Sequence, residues 1–281
     1  MSGHATTEPL RRFAGRRALV TGASRGIGAA IAERLAAEGA DVALVARTRS
    51  AHTHLDGSLD ETAERCVVHG ASVAIVVADL TDVEQRAGIV PSAVDQLGGP
   101  LDILVNNAAA AIYQPVTETS LKRRHLMFEA NVHAPLDLAT GVIPTMTEAG
   151  EGWIINLSSG TARLWPGPPF EVGSLGTTIS LYGASKAALD RMTNGLGAEL
   201  HGTGIRVNTV QPRAAVLSEG AAKLAGSKLR ADQVETMEQM VEGAVVLACC
   251  DEDVTGRVTV SLDNLVDFGL EVRGLDARPL A

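Results

Sequence analysis

The sequence is poor in aromatic residues and in cysteine, and it contains no long apolar run. Only 3% of its 281 residues are Phe, Trp or Tyr, whereas 46% are hydrophobic. Small aliphatic residues without many aromatics favour helices layered on parallel strands over a β-sandwich. Three cysteines (Cys66, Cys249 and Cys250) are too few and too unevenly spaced for a disulfide framework, which predicts a reducing compartment.

Membrane and nucleic-acid functions find no support in the composition. No apolar run approaches the roughly 18 residues of a transmembrane helix, and the apolar stretch 18–20 is too short for the core of a signal peptide. The net charge of −9 argues against nucleic acid or an anionic membrane as the main partner. These absences predict a soluble, cytoplasmic protein that acts on a small molecule.

Short strands rich in Val, Ile and Leu alternate with helical patterns along the chain. Strands are expected at 17–21, 42–46, 73–77, 101–105, 153–157, 205–210 and 258–260, and helices near 29–38, 59–69, 83–97, 118–147, 183–201 and 231–249. This alternation predicts an α/β fold with a single Rossmann-type, doubly wound parallel sheet of about seven strands and helices on both faces. We place this domain at 15–262, between a loose N-terminal arm (1–14) and a C-terminal tail (263–281).

The first strand runs directly into the glycine-rich turn Thr21–Gly28 and then into a helix. Glycines at this place let the chain turn tightly and bring backbone N–H groups against a pyrophosphate at the helix N-terminus. We therefore expect a dinucleotide to contact the turn. The residues predicted to do so are Gly22, Ser24, Arg25, Gly26, Ile27 and Gly28.

The ends of the next three strands refine the choice of dinucleotide. A carboxylate after the second strand would bind a ribose 2′-hydroxyl, whereas arginine accommodates a 2′-phosphate. Here Arg47 stands in that position, with Arg25 available from the glycine turn, so NADP is favoured over NAD. Asp79 and Leu80 are placed to contact adenine, and 106–109 lies beside the point where the strand order reverses.

Tyr182 and Lys186 stand four residues apart, on one face of a predicted helix. A phenol with a pKa of about 10 is a poor acid or base at neutral pH, and a nearby ammonium lowers that pKa. The pair would suit proton transfer to or from a substrate oxygen.

Six motifs in order make the chain resemble the short-chain dehydrogenase/reductase family over roughly 15–262. They are TGASRGIG, NNAA, Asn131 within FEANVHAP, NLSS at 156–159, YGASK and IRVN at 205–208. The insertion at 48–58 resembles one in a hydroxysteroid-dehydrogenase-like branch of that family.

The resemblance implies a role for each matching residue. Tyr182 would be the general acid/base, and Lys186 would lower its pKa and bind the nicotinamide ribose. Ser159 would bind the substrate carbonyl, with Ser158 as the alternative, and Asn131 would hold a water in a proton relay with Lys186. The remaining residues implied to line the cofactor are Asn107, Ala108 and Ala215.

Three departures from the family pattern bear on the substrate side. Ala109 and Arg213 replace glycines, and we expect Arg213 to pair with a cofactor phosphate or an acidic substrate group. The stretch 160–181 is longer than usual, with three prolines and four glycines, and with 214–230 it could form a lid over an apolar substrate. His52 and His54 are too sparse for a metal site, so no metal is expected.

The resulting prediction is an NADP-dependent enzyme that interconverts a secondary alcohol and a ketone, with an apolar, lipid-like, steroid-like or cyclic carbonyl compound as substrate. The alternatives are an enoyl (C=C) reductase, and a cofactor-binding regulator or scaffold without turnover. The predicted helices 118–147 and 183–201 resemble those of the family's four-helix interfaces, which implies a homotetramer or homodimer.

Overall fold

A computed structural model describes residues 10–50, 56–173, 175–213, 215–216 and 234–280 of the chain. The strands are β1 Arg17–Thr21, β2 Asp41–Ala46, β3 Val73–Val77, β4 Ile103–Asn106, β5 Gly152–Leu157, β6 Ile205–Gln211, β7 Ala215–Val216, β8 Val234–Glu235 and β9 Val258–Val260. The α-helices are α1 Gly26–Ala37, α2 Leu59–Val67, α3 Val83–Ala87, α4 Ile89–Leu97, α5 Leu121–Phe128, α6 Ala134–Ala149, α7 Ser180–Glu199, α8 Met237–Val245 and α9 Ser261–Asp267.

Seven strands form one parallel sheet in the order β3-β2-β1-β4-β5-β6-β9. The chain builds outward from β1 to β3 and then returns to the other side of β1 with β4. This order confirms the predicted Rossmann-type, doubly wound fold. It also places the reversal of strand order between β1 and β4, where open α/β sheets bind their ligands.

Each face of the sheet is covered by its own helices. Alternate residues of β1 belong to opposite sides: Ala18 and Val20 pack in one apolar cluster with α1, α2 and α8, and Leu19 packs in the other with α4, α6 and α7. This period of two follows from the pleat of a strand. Because apolar side chains cover both faces of the sheet, the ends of the strands are the places where a polar ligand can meet the backbone.

Two predicted helices are interrupted in the structure. The predicted helix 83–97 breaks at Gly88, which separates α3 from α4. The predicted helix 118–147 contains a π-helical turn at Glu129–His133 between α5 and α6. A π turn holds one residue more than an α turn, and such turns are frequent at functional sites.

Parts of the predicted arm and tail pack against the domain. Phe13 is 1% exposed and belongs to the core beside α1 and α8. Helix α9 begins at Ser261, inside the predicted domain, and Ala277 is fully buried. Residues 10–14 therefore pack as part of the domain, because the Phe13 ring is buried in its core.

Two arginines and two glutamates form a buried cluster, the Arg12/Arg34/Glu38/Glu242 quartet. Arg34 lies 2.7 Å from Glu38 and 2.5 Å from Glu242, and Arg12 lies 2.6 Å from Glu38 and 3.1 Å from Glu242. Burial alone would raise the pKa of the Glu38 carboxyl, but Arg12 and Arg34 outweigh it and hold that pKa below its usual range. The quartet joins the N-terminal segment, α1 and α8.

No helix in the described part of the chain is long and apolar enough to span a bilayer.

Candidate active site

A cleft of about 830 Å³ opens at the carboxyl ends of β1, β2, β3 and β4. It is lined by residues from each of the four loops that follow these strands. Of the residues predicted to bind the cofactor, those lining the cleft are Gly22, Ser24, Arg25, Gly26, Ile27, Arg47, Asp79, Leu80, Asn107 and Ala108. The structure therefore brings together, in one groove, residues that lie as far apart in the sequence as Gly22 and Ala108.

The glycine turn has no room for a side chain at Gly22 or Gly28. Gly22 and Gly26 have φ angles of +66° and +56°, a backbone conformation that favours glycine. A Cβ on Gly22 would lie 2.8 Å from Asn107 Nδ2 and 2.9 Å from Ala108 Cα, and one on Gly28 would collide with the Asn107 side chain. Gly28 thus packs behind the turn rather than in the cleft, and it allows the turn and the β4 loop to approach.

Helix α1 presents free backbone N–H groups to the cleft. Its N-cap residue, Arg25, makes no side-chain capping hydrogen bond, and its first turn contains no acidic residue. The positive end of a helix without a cap or a carboxylate is suited to a phosphate. The cleft therefore fits a pyrophosphate at this end.

The two arginines predicted to select NADP differ in their surroundings. Arg25 donates a hydrogen bond from Nη2 to the Gly57 carbonyl at 3.2 Å, and its buried Nε has no hydrogen-bond partner in the described residues. Arg47 is exposed at the rim of the cleft. Arg47 is consequently the guanidinium that a ligand phosphate can approach with least rearrangement.

The β3 end of the cleft is held by Arg86, for which the sequence predicts no role. Arg86 is 4% exposed, donates to the Leu80 carbonyl at 2.6 Å, and pairs with Glu129 at 2.7 Å and Asp137 at 2.6 Å. Asp79 accepts hydrogen bonds from the backbone and hydroxyl of Thr81. These contacts position the β3 loop against α5 and α6.

The β4 loop is attached to the end of β1 through Thr21. The backbone N–H groups of Asn107 and Ala108 donate to the buried Thr21 hydroxyl at 3.0 and 3.1 Å, and Asn107 Nδ2 donates to the Thr21 carbonyl at 2.9 Å. One threonine hydroxyl thus orders both residues predicted to line the cofactor.

Tyr182 lies on α7, beyond the cleft, and is 9% exposed. Burial raises the pKa of its phenol above the ordinary value, the neighbouring Tyr113 raises it further, and contact with the Ser159 hydroxyl partly offsets both. The prediction that Lys186 lowers this pKa is not met in this structure, because the Lys186 amine is directed elsewhere.

Lys186 is 2% exposed and donates from Nζ to the Leu157 carbonyl at 2.6 Å. Burial lowers the pKa of this amine to about 8, and the Asp190 carboxyl opposes that shift. At neutral pH the amine is therefore mainly protonated, one helical turn from the Tyr182 phenol.

The two candidate serines face different neighbours. Ser159 contacts Tyr182 and also accepts hydrogen bonds from the Thr161 hydroxyl at 2.9 Å and the Thr161 N–H at 3.3 Å. Ser158 is 7% exposed, and its hydroxyl has no hydrogen-bond partner among the described residues, although it is near enough to the Asp190 carboxyl to lower the pKa of that group. The geometry favours Ser159 as the partner of Tyr182.

Asn131 lies within the π-helical turn and is fully buried. Its Nδ2 donates to the Ala110 carbonyl at 3.0 Å and to Ser185 Oγ at 2.9 Å, and its Oδ1 accepts from the Ala110 N–H at 2.8 Å. Asn131 therefore joins the β4 loop to α7. Because Oδ1 accepts only one of these hydrogen bonds, it keeps a second acceptor position for the predicted water.

Arg213 and Ala215 lie outside the cleft. Arg213 forms an ion pair with Asp263 of α9 and interacts with Glu235, which is 2% exposed. Ala215 belongs to β7 and pairs with Val234 of β8. The guanidinium expected to meet a phosphate or an acidic substrate group thus has a protein carboxylate instead, because Asp263 stands within its reach.

The insertion between β5 and α7 exposes apolar side chains. Leu164 is 95% exposed and Phe170 is 64% exposed. Short 3₁₀ turns at Gly160–Ala162 and Gly176–Ile179 order its two ends. The second predicted part of the lid, 214–230, lies almost entirely outside the described residues, as do His52 and His54. Among the residues described, no group of three metal-ligating side chains lies together.

A doubly wound sheet with a glycine turn at its switch point, and a buried Tyr–Lys pair beside it, defines the class of Rossmann-type dinucleotide-binding oxidoreductases. The sequence pattern of the short chain dehydrogenase family matches residues 16–228. The chain belongs to this family.

Curated relatives have longer chains than this one. Hydroxysteroid dehydrogenase-like protein 2 of Bos taurus is 31% identical over 266 residues, which cover 92% of this chain and 60% of the relative. Glycine betaine reductase ATRR of Emericella nidulans is 31% identical over 90% of this chain and 18% of its own length. The chain thus spans about three-fifths of the first of these relatives.

Solved structures agree with the fold over most of the chain. A Beutenbergia cavernae protein assigned as an NAD(P)-dependent gluconate 5-dehydrogenase, with NADP bound at low occupancy, is 31% identical with a TM-score of 0.74 and covers 90% of this chain and 98% of its own. A 3-oxoacyl (acyl-carrier-protein) reductase of Agrobacterium tumefaciens with NADP bound is 25% identical with a TM-score of 0.74, and the match covers 88% and 93% of the two chains.

Sequence reasoning misses three residues that shape the site: Thr21, Arg86 and Tyr113. Thr21 is the first residue of the glycine-turn motif, but its hydrogen bonds to the β4 loop form only on folding, and so do the ion pairs of Arg86 with Glu129 and Asp137. The sequence offers one reason to consider Tyr113, because it is the only tyrosine besides Tyr182.

Proposed function

We propose that the protein is an NADP-dependent oxidoreductase that interconverts a secondary alcohol and a ketone, with Tyr182 as the general acid/base. The observation that carries this proposal is the buried Tyr182 phenol, one helical turn before the buried Lys186 on α7, with the Ser159 hydroxyl near enough to influence its pKa. Family membership and the NADP found in two solved relatives support it.

The cleft fits the cofactor in the order of its parts. The uncapped start of α1 and the glycine turn would hold the pyrophosphate, Arg47 the 2′-phosphate, and Asp79 with Leu80 the adenine. Asn107 and Ala108 would flank the path toward Tyr182, and Lys186 would bind the nicotinamide ribose. When bound, NADP(H) supplies or accepts the hydride.

The side chains beyond the cleft would handle charge and the proton. During reduction, negative charge develops on the carbonyl oxygen, and hydrogen bonds from Ser159 and Tyr182 would stabilise it. Tyr182 then gives its proton to that oxygen; in the reverse direction its phenolate takes the proton back. The water that Asn131 would hold, together with Lys186, would return a proton to Tyr182.

A ketone panel with NADPH tests the proposal against its alternatives. Turnover of ketones, followed as loss of NADPH absorbance, is the expected result. Binding of NADPH without turnover of any ketone would favour a regulator or scaffold. Reduction of an α,β-unsaturated ketone at its C=C bond alone would favour an enoyl reductase, although the spacing of four residues between Tyr182 and Lys186 counts against it.

Replacing Arg47 by aspartate tests the choice of cofactor. We expect the Kd for NADPH to rise about 10- to 100-fold, because one charge-assisted hydrogen bond is lost and a carboxylate faces the phosphate. Binding of NADH should be retained or improved, since aspartate can accept from a 2′-hydroxyl. Fluorescence titration measures both constants.

Arg49 provides the matched control for Arg47. It stands two residues further on, is exposed, and pairs with Asp60 at 2.8 Å rather than lining the cleft. Arg49→Asp should leave the Kd for NADPH within about twofold. A wild-type preference for NADH, or equal effects of the two variants, would overturn the role of Arg47.

The adjacent serines allow a second matched comparison. Ser159→Ala should lower kcat about 10²- to 10³-fold, as removal of one hydrogen-bond donor to a developing oxyanion does. Ser158→Ala should cost less than tenfold, because its hydroxyl lies near Asp190 rather than Tyr182. Steady-state kinetics with one ketone decide between them: the reverse order would assign the role to Ser158.

Location and assembly also belong to the proposal. Three cysteines without a disulfide fit a reducing, cytoplasmic compartment. The helices α5, α6 and α7 are those expected to form a homotetramer or homodimer. The proposed partners are small-molecule carbonyl or alcohol substrates. We propose that the protein binds neither nucleic acid nor membranes.

A further inference from the structure

The only two tyrosines of the chain lie side by side. Their ring centroids are 5.7 Å apart and their planes are inclined by 57°. This is the tilted arrangement that aromatic pairs prefer. Tyr182 is buried, whereas Tyr113 is half-buried and retains an open side.

The segment that carries Tyr113 is fixed at both ends. Ala110 exchanges two hydrogen bonds with the Asn131 side chain, at 2.8 and 3.0 Å. At the other end the Gln114 N–H donates to the Thr178 carbonyl at 2.8 Å, just before α7 begins. The Tyr113 ring is therefore held over Tyr182 by attachments to both sides of the site, and its position is set before any substrate arrives.

Tyr113 stands where the cofactor cleft ends and the substrate region begins. The residues before it, Ala109 to Ile112, line the cleft and are all apolar. The Thr161 carbonyl packs so closely against Gly183, the residue after Tyr182, that a Cβ there would collide with it. A carbonyl bound to Tyr182 would lie within reach of the Tyr113 ring, because the two ring centroids are 5.7 Å apart.

We propose that Tyr113 is a specificity-determining residue whose ring contacts a flat, unsaturated ring attached to the substrate carbonyl, so that aryl ketones and the corresponding alcohols are the favoured substrate class. The inference rests on the proposed function. A planar ring can pack face-to-edge or offset against the open side of Tyr113, and a saturated ring of the same size cannot gain that interaction.

The test compares acetophenone with cyclohexyl methyl ketone, which differ in the saturation of one ring. Tyr113→Leu keeps apolar bulk and removes the aromatic face. We expect kcat/KM for acetophenone to fall about threefold to tenfold in this variant, mainly through KM, because that is the range of an aromatic pair. For cyclohexyl methyl ketone the change should stay within about twofold.

Tyr113→Phe separates substrate contact from support of the fold. It should retain the preference for acetophenone, since the ring remains.

The outcomes distinguish this inference from the proposed function. Wild-type protein that binds NADPH but reduces none of these ketones would overturn both. Wild-type turnover with equal losses for the two ketones in Tyr113→Leu would overturn the inference alone, as would a Tyr113→Phe variant that loses the preference for acetophenone.

Discussion

Replacing Tyr182 by phenylalanine is expected to lower kcat by a factor of about 10² to 10⁴, the contribution of general acid–base catalysis. The ring and its packing against Tyr113 remain, while the proton and the hydrogen bond to the substrate oxygen are lost. The Kd for NADPH should stay within about twofold, since Tyr182 lies beyond the lining of the cleft. Steady-state kinetics and a fluorescence titration measure the two quantities.

Thr140→Ala is the control for Tyr182→Phe, because it removes a hydroxyl that is exposed on α6 and hydrogen-bonded only to the Leu136 carbonyl. It should keep kcat within about twofold, as exposed substitutions usually do. If Tyr182→Phe kept more than a tenth of wild-type kcat, the phenol would not be the proton donor, and the assignment of the site would have to change.

Replacing Arg34 by methionine is expected to lower the free energy of unfolding by about 3 to 5 kcal/mol. Arg34 contacts both glutamates of the quartet, and all three side chains are at most 2% exposed. The variant would leave two buried carboxylates with Arg12 alone. Urea denaturation, followed by circular dichroism, measures the change from the midpoint and the slope.

Two further variants make the quartet test specific. Arg49→Met breaks an exposed pair with Asp60 and should change the free energy of unfolding by no more than about 0.5 kcal/mol. Arg34→Met combined with Glu242→Met removes a matched cation and anion, and it should be more stable than the sum of the single losses predicts. If Arg34→Met and Arg49→Met lowered the free energy of unfolding by similar amounts, the buried quartet would stabilise the fold no more than an exposed ion pair does.

The strands are predictable because their signal is local. β1 and β3 are predicted at their observed bounds, since each contains an apolar run, although Val77 of the edge strand β3 is 52% exposed. The bounds of the helices are harder to predict. α1 begins at Gly26, three residues before the predicted start, because glycines that oppose a helix by propensity are needed there for close approach. The π turn around Asn131 has no sequence pattern of its own, because its hydrogen bonds reach Ala110 and Ser185.

The candidate site divides in the same way. The glycine turn and the Tyr182–Lys186 pair are both predictable from spacing within one segment; the structure places the glycine turn at the switch point and the pair on α7, beyond the cleft. Interactions between distant segments could not be predicted: Arg213 with Asp263, Lys186 with the Leu157 carbonyl, and Tyr113 with Tyr182. Each depends on the direction of a side chain after folding. The pKa of Tyr182 is an example. Burial is the main cause that raises it, and the sequence does not show how deeply a side chain is buried.

The pair of neighbouring tyrosines also makes the protein its own spectroscopic probe. The chain has no other tyrosine, so the ultraviolet absorbance of tyrosinate arises from this one place. An alkaline titration of the unlabelled protein would therefore record two coupled ionisations, whose apparent values belong to the pair rather than to either ring. Any ligand that enters beside them would change the shape of that curve without a dye, a tag or a substituted residue.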